Sequence, residues 1–192
     1  MKILFSIAAM LTAVAGASAN DISLQVLAEM NRARTAPAEY AQIVAAEMAG
    51  YKGRGGAKVV EEAVRFLQKA KPLPPLTFSE GLTNAALMHV SEQGQRGGSG
   101  HGNTFGRMAK FGRWGGMAGE NIYYGSRGAR NIVVSLIVDD GVRGRKHRAN
   151  IFNRQFRVVG VAYGSHASFG GMCVTDFAGT FYERNGSRIA GL

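Results

Sequence analysis

The runs Phe156-Arg157-Val158-Val159-Gly160-Val161-Ala162-Tyr163 and Met172-Cys173-Val174-Thr175-Asp176-Phe177 decide the fold class. Both are short, rich in valine and aromatic residues, and bounded by glycines, which is the composition of central β-strands. The chain upstream has a different period. From Ile22 to about Ala49 the residues Leu24, Leu27 and Ala28, with Val26, Met30 and Ala33 beside them, recur at helical spacing. Pro37 interrupts that run and predicts two helices with a turn near Thr35 and Ala36. Gly50 to Ala57 reads as a loop. Val59, Val60, Ala63, Phe66 and Leu67 then mark an amphipathic helix ending before Pro72, on which Glu61 and Arg65 form an exposed pair one turn apart. After the stiff connector Pro72-Leu73-Pro74-Pro75, Ser79 caps a helix that carries Leu82, Ala85, Ala86, Met88, His89 and Val90. Helices before and between the strands predict an α/β domain, a short central sheet flanked by helices.

A chain of 192 residues, 46% of them hydrophobic, can bury one core. Lys2, the apolar stretch Ile3 to Ala15 and the ending Ala17-Ser18-Ala19 read as a signal peptide over residues 1–19, cut before Asn20. The stretch is too short to span a bilayer, which needs about 20 apolar residues. Residues 20–192 are thus expected as one exported domain, secreted or periplasmic, with a helical N-terminal segment over about 20–75. A monomer with no transmembrane segment after cleavage is expected. Cys173 is the single cysteine, so no intrachain disulfide can form, and its apolar surroundings predict a buried, inert thiol. The formal net charge of +10 favours contact with polyanions such as envelope polymers. Zinc-finger spacing, a helix-turn-helix pattern and aromatic-rich RNA motifs are all missing, which argues against dedicated nucleic-acid recognition.

Between Gly94 and Gly125 glycine is dense, predicting long loops that could carry functional side chains. The residues with chemistry begin there: His101 in Ser-Gly-His-Gly-Asn, Glu120 in Ala-Gly-Glu-Asn-Ile, Asp139 and Asp140 after an apolar run, and His147 in Lys-His-Arg-Ala-Asn-Ile. Two imidazoles and several carboxylates are the material of a metal site or of acid–base chemistry. Neither HExxH nor the nucleophile elbow G-x-S-x-G occurs, so no local zinc geometry and no serine hydrolase can be read from spacing. His89 is expected as an ordinary surface or half-buried residue, His166 in a hairpin turn, and Asn150 as a turn or capping residue that orients His147. Trp114, Tyr123 and Tyr124 are expected to pack in the core rather than line a groove.

Four motifs in order resemble the CAP superfamily, the cysteine-rich secretory, antigen 5 and pathogenesis-related 1 proteins. Gly119-Glu120-Asn121-Ile122 resembles its Gly-Glu-Asn-Ile signature, and His147-Arg148-Ala149-Asn150-Ile151 the His-Arg-x-Asn-Ile segment of its bacterial SCP-like branch. His101 stands where the family has its first histidine, ahead of a Phe105-Gly106-Arg107-Met108 helix, and Asn31-Arg32-Ala33-Arg34 looks like the end of the N-terminal motif. The two C-terminal runs correspond to the last two strands. The resemblance implies a three-layer α-β-α sandwich with a cleft in which two histidines and two acids converge.

Here these would be His101, His147, Glu120 and a second acid. The family's glutamate ahead of the second histidine is missing, and Asp140 is preferred over Asp139 because it would continue the Ile132 and Leu136 face of a helix over 130–138. His101 and His147 could share a divalent cation such as Zn2+, with carboxylates fixing their outer ring nitrogens. Alternatively the four groups brace the loops by hydrogen bonds alone.

Three functions follow from this reading. The first is a non-catalytic exported binding protein that holds a metal, a small apolar ligand or an envelope component. The second is a hydrolase with Glu120 as general base, and the third a basic surface protein that binds polyanions.

Overall fold

The computed structural model describes residues 19–184. The expected leader lies outside the described residues, apart from Ala19, with which the first helix begins. Helices α1 (Ala19–Thr35), α2 (Pro37–Glu47) and α3 (Gly56–Lys69) come first, then strand β1 (Thr77–Phe78). Next come α4 (Glu80–Arg96), α5 (Thr104–Phe111), β2 (Gly112–Tyr124), α6 (Ala129–Val138) and α7 (Lys146–Ile151), and the chain closes on β3 (Val158–His166) and β4 (Gly170–Glu183). The four strands form one mixed sheet in the order β1-β3-β4-β2; β1 runs parallel to β3, and β4 is antiparallel to both of its neighbours. This is an α-β-α sandwich. No helix of the described residues is long and apolar enough to cross a membrane.

The strand period of two sorts each residue to one layer or the other. Val159, Val161, Cys173 and Phe177 face one way and pack with α1, α2, α3 and α6 through Val26, Met30, Val44, Leu67 and Ile132. Ala162, Met172 and Val174 face the other way with Ala86 and Val90 of α4, and Ala178 meets Leu82, Ala85 and Met108. Cys173 is buried as expected, and burial pushes its thiol up to about 12, where it is inert at neutral pH.

Local chemistry explains the helix ends. Pro37 opens α2, Ser79 caps α4 by accepting from the Leu82 N–H at 3.2 Å, and Gly97 ends α4 in the left-handed region. Helix α4 lies so close to the sheet that a Cβ on Gly160 of β3 would collide with the backbone of Leu82 and Thr83. A backbone neighbour cannot rotate away. Gly160→Ala is therefore expected to lose at least about 1–3 kcal/mol, the cost of overpacking, read as a lower urea midpoint. An unchanged midpoint would show that α4 can slide.

The Asn31-Arg32-Ala33-Arg34 motif is a clamp. Asn31 bonds Leu76 in both directions, Nδ2 to its carbonyl at 3.0 Å and Oδ1 from its N–H at 2.7 Å. Arg34 is fully buried, and its guanidinium donates to the carbonyls of Pro74, Ile151, Asn153 and Phe156 at 2.6–3.3 Å. These bonds tie α1 to the chain entering β1 and to the turn leading into β3.

Two expectations change. The glycine-dense stretch from Gly94 to Gly125 is not chiefly loop, because it holds the end of α4, all of α5 and the thirteen residues of β2. Its glycines conceal the strand's alternation, while pairing with β4 over nearly its whole length supplies what side-chain propensity does not. The predicted loop at Gly50 to Ala57 likewise gives way to α3 at Gly56.

Candidate functional site

Glu120 sits on β2, a strand at the edge of the sheet, and turns its side chain toward the layer of α4 and α5. Its carboxylate is buried, yet three donors reach it. Oε1 accepts from His101 Nδ1 at 2.7 Å and from the Thr104 hydroxyl at 2.8 Å, and Oε2 accepts from Arg107 Nη2 at 2.5 Å. Asn103 caps α5 by accepting from the Gly106 N–H, which fixes the first turn and sets Thr104 and Arg107 on one face, three residues apart. Burial works to raise the Glu120 pKa, but the His101 bond, the Arg107 charge and the Thr104 hydroxyl together hold it below the usual carboxylate range. An ionised carboxylate can only accept, so His101 carries its hydrogen on Nδ1 and, in the neutral ring, keeps a lone pair on Nε2. The His101 side chain is 55% exposed.

A second pair repeats this arrangement. Asp139 Oδ1 accepts from His147 Nδ1 at 2.7 Å, and its Oδ2 accepts from the His147 backbone N–H at 2.9 Å. The acid beside His147 is thus Asp139 rather than Asp140. The face extrapolated from Ile132 and Leu136 fails because α6 stops at Val138 and Asp139 is its cap, with φ of 54°. From there the chain reverses. Asp140 is carried away to accept from the Tyr51 hydroxyl at 3.0 Å and the Gly55 N–H at 2.9 Å.

The residues Gly141 to Arg145 form the turn that returns His147 to Asp139, and Lys146 already opens α7; Arg145 Nη1 closes the turn on the Asp139 carbonyl at 2.6 Å. The α7 helix is further held by Arg148, which donates to both oxygens of Glu62 on α3 and lies over the Phe66 ring.

The two pairs are anchored to consecutive residues of β2. Glu120 holds His101, and Asn121, pointing to the opposite layer, donates to the His147 carbonyl at 3.0 Å. Asn150 donates to Asn121 Oδ1 at 2.8 Å and so braces α7 against the strand, close to the orienting role expected for it. Among the described residues no group of three or more His, Cys, Asp and Glu side chains is placed to hold a metal ion. The donors on offer are the two Nε2 atoms, each backed by a carboxylate on the other side of its ring.

The model of the CAP family, described as the cysteine-rich secretory protein family, matches residues 27–177. This chain belongs to the CAP family. Among solved structures the chain is similar to a cysteine-rich secretory protein from Staphylococcus aureus subsp. aureus Mu50, 14% identical over 65% of this chain and 38% of that one, with a TM-score of 0.43. The CAP chain described here therefore spans well under half of that protein's length. No curated protein matches it.

Several residues around this CAP site escape a reading of the sequence. Thr104 and Arg107 complete the Glu120 carboxylate, and their spacing on a short helix after His101 is the signal that could reveal them. His89, expected near the surface, is buried on α4 with Nε2 against the Gly100 carbonyl at 3.0 Å, and burial lowers its pKa. His166 stands at the β3–β4 hairpin turn as expected, its Nδ1 accepting from the Ser168 and Phe169 N–H groups, but it is buried there and its Nε2 ties the Gly98 carbonyl at 2.7 Å. Tyr124 lies nearby, accepting from the Gly100 N–H and donating to Gln93. Asp176 is fully buried on β4, opposite Glu120.

Proposed function

We propose that this chain is an exported, non-catalytic binding module of the CAP type that holds a divalent cation such as Zn2+ through Nε2 of His101 and His147. The observation that carries the reading is the repeated pair. Each imidazole has Nδ1 fixed by a buried carboxylate at 2.7 Å, so each presents a ligating lone pair with its tautomer and ring orientation already set. Two neutral imidazoles suit zinc, and the remaining positions stay open to water or to a ligand.

The reading as a hydrolase is weaker on the same geometry. Glu120 already accepts three hydrogen bonds and is held as an anion below the usual carboxylate range, so it is a poor general base.

A calorimetric zinc titration tests the proposal. Wild type is expected to bind saturably, and the His101→Ala, His147→Ala double variant not to bind. Asp139→Asn should weaken binding by about 10–100-fold, the usual effect of losing a carboxylate behind a ligating histidine. Asp140→Asn should leave the affinity unchanged, since that side chain serves Tyr51 and Gly55. Equal binding by wild type and the double variant, or none by either, would count against a metal.

One observation favours a second ligand. A groove of about 180 Å³ runs between α1, β1, α4 and β3, lined by Leu24, Leu27, Phe78, Leu87, Val161 and Ala162, with Leu24 and Phe78 half exposed or more. Its lining suits a small apolar molecule such as an acyl chain. Native mass spectrometry of protein purified without detergent is expected to show a lipid adduct that Leu24→Asp removes.

A further inference from the structure

Asp176 has no counterpart in the binding site proposed above. It lies in the middle of β4 with no solvent exposure, and neither carboxyl oxygen has a hydrogen-bond donor within reach. A buried carboxylate without donors is among the costliest groups a protein can hold, and such groups are almost always paired. The register explains what stands beside it. Asp176 is directly opposite Glu120 on β2 and Gly160 on β3, all three facing α4 and α5. Directly opposed side chains in an antiparallel pair start about 4.5–5.5 Å apart at Cβ, so two carboxyl groups from such positions can meet.

The charged and titratable groups on this face are Glu120 and Tyr124 from β2, Arg107 from α5 and His89 from α4, with His101 on the loop before α5. Strand β3 sets Gly160 beside Asp176 and brings His166 to the same face only at its far end, against Tyr124. Arg107 gives its two Nη atoms to Glu120, the His101 carbonyl and Thr104; its charge works to lower the Asp176 pKa, but burial and Glu120 outweigh it, and neither Asp176 oxygen is bonded to the guanidinium.

Counting lone pairs completes the argument. A carboxylate offers about four acceptor positions. Those of Glu120 receive His101 and Thr104 on Oε1 and Arg107 on Oε2, which leaves one on Oε2. An ionised Asp176 would set a second buried anion against Glu120 with nothing between them. A neutral Asp176 has an O–H to donate and fills the vacant position. We infer that Asp176 is kept in its acid form and donates its proton to Glu120, making it the fourth donor that locks the carboxylate behind His101. Burial, and after it the negative charge of Glu120, act in the same direction by raising the Asp176 pKa well above the usual range. Asp176 is thus a positioning residue, acting on His101 through Glu120.

The chain contains four aspartates, Asp21, Asp139, Asp140 and Asp176, which makes a direct test practicable. With 13C-carboxyl aspartate incorporated into the full chain, three resonances are expected at the ionised position at about pH 7 and one at the position of the neutral acid. The neutral signal should disappear in Asp176→Asn. Four ionised signals in wild type would overturn the inference, whatever the variant does.

The variant supplies a second readout, because asparagine keeps a donor but cannot ionise. A group whose folded-state pKa is raised gives full stability below its unfolded value, near pH 3.9, and loses it as the pH climbs toward the folded value. The urea midpoints of wild type and Asp176→Asn should therefore coincide at about pH 3, with wild type falling below the variant as the pH rises to about 7. A gap that does not change with pH, or one that opens in the other sense, would overturn the inference as well.

Discussion

Replacing Arg34 with alanine is expected to cost about 3–5 kcal/mol of stability, a large share of the roughly 5–15 kcal/mol by which a typical domain is folded. The guanidinium is fully buried and faces four backbone carbonyls instead of a carboxylate. Burial, with the Arg157 charge adding to it, holds its pKa down at about 10, so the group is still a cation at neutral pH. Truncation removes the cation, strands the buried carbonyls of Ile151 and Phe156 at about 1 kcal/mol or more each, and leaves the partly buried bonds to Pro74 and Asn153 unmade.

Lysine should not rescue the loss. Its ammonium is a compact point charge, whereas the planar fork of arginine reaches the carbonyls of the chain entering β1 and of the turn entering β3 at once. Arg34→Lys is therefore expected to lose about 2–3 kcal/mol. Denaturation by urea checks both values. A loss under about 1 kcal/mol for Arg34→Ala would mean that the carbonyls find other donors.

The second large effect is expected at Glu120. Glu120→Gln should cost about 3 kcal/mol or more, because it leaves the Arg107 guanidinium buried without its counter-charge. The neutral amide also turns a donor toward Arg107 or toward the pair formed by His101 and Thr104, whichever way it is oriented. Arg107→Met alone should be costly for the mirror reason, an anion stripped of its partner. The double variant should then lose less than the sum of the two, by at least about 1 kcal/mol, since it removes both charges together. Strict additivity in this cycle would show that the ion pair does not couple the strand to α5.

Much of the fold is legible in the residues themselves. The valine-rich runs at Val158–Val161 and Met172–Phe177, the proline breaks at Pro37 and Pro72, and the Ser79 cap each act through local steric or hydrogen-bonding rules, and each appears where those rules place it. Strand β2 is the counter-example. Gly112, Gly115 and Gly119 carry no strand preference, and only β4 alongside makes them extended, while Gly116 takes a φ of 74° in the bulge between Gly115 and Ala118.

The candidate site divides in the same manner. His101, Glu120 and His147 stand out as residue types in short motifs, but the identity of the second acid turns on a single dihedral angle at the end of α6. A helical wheel continued past Val138 selects Asp140; the left-handed cap at Asp139 selects Asp139.

By itself, the sequence determined the layer architecture and the CAP family, because helix and strand periods and four ordered motifs are properties of neighbouring residues. Only the tertiary structure decided which carboxylate backs which imidazole, that Thr104 and Arg107 close on Glu120, and that Asp176 is buried against it. Those pairings join residues separated by many positions, and no local rule fixes the register of β2 on β4 or the turn that returns α7 to α6. They form when the whole sheet closes, and it is packing against α4, α5 and α7 that selects them.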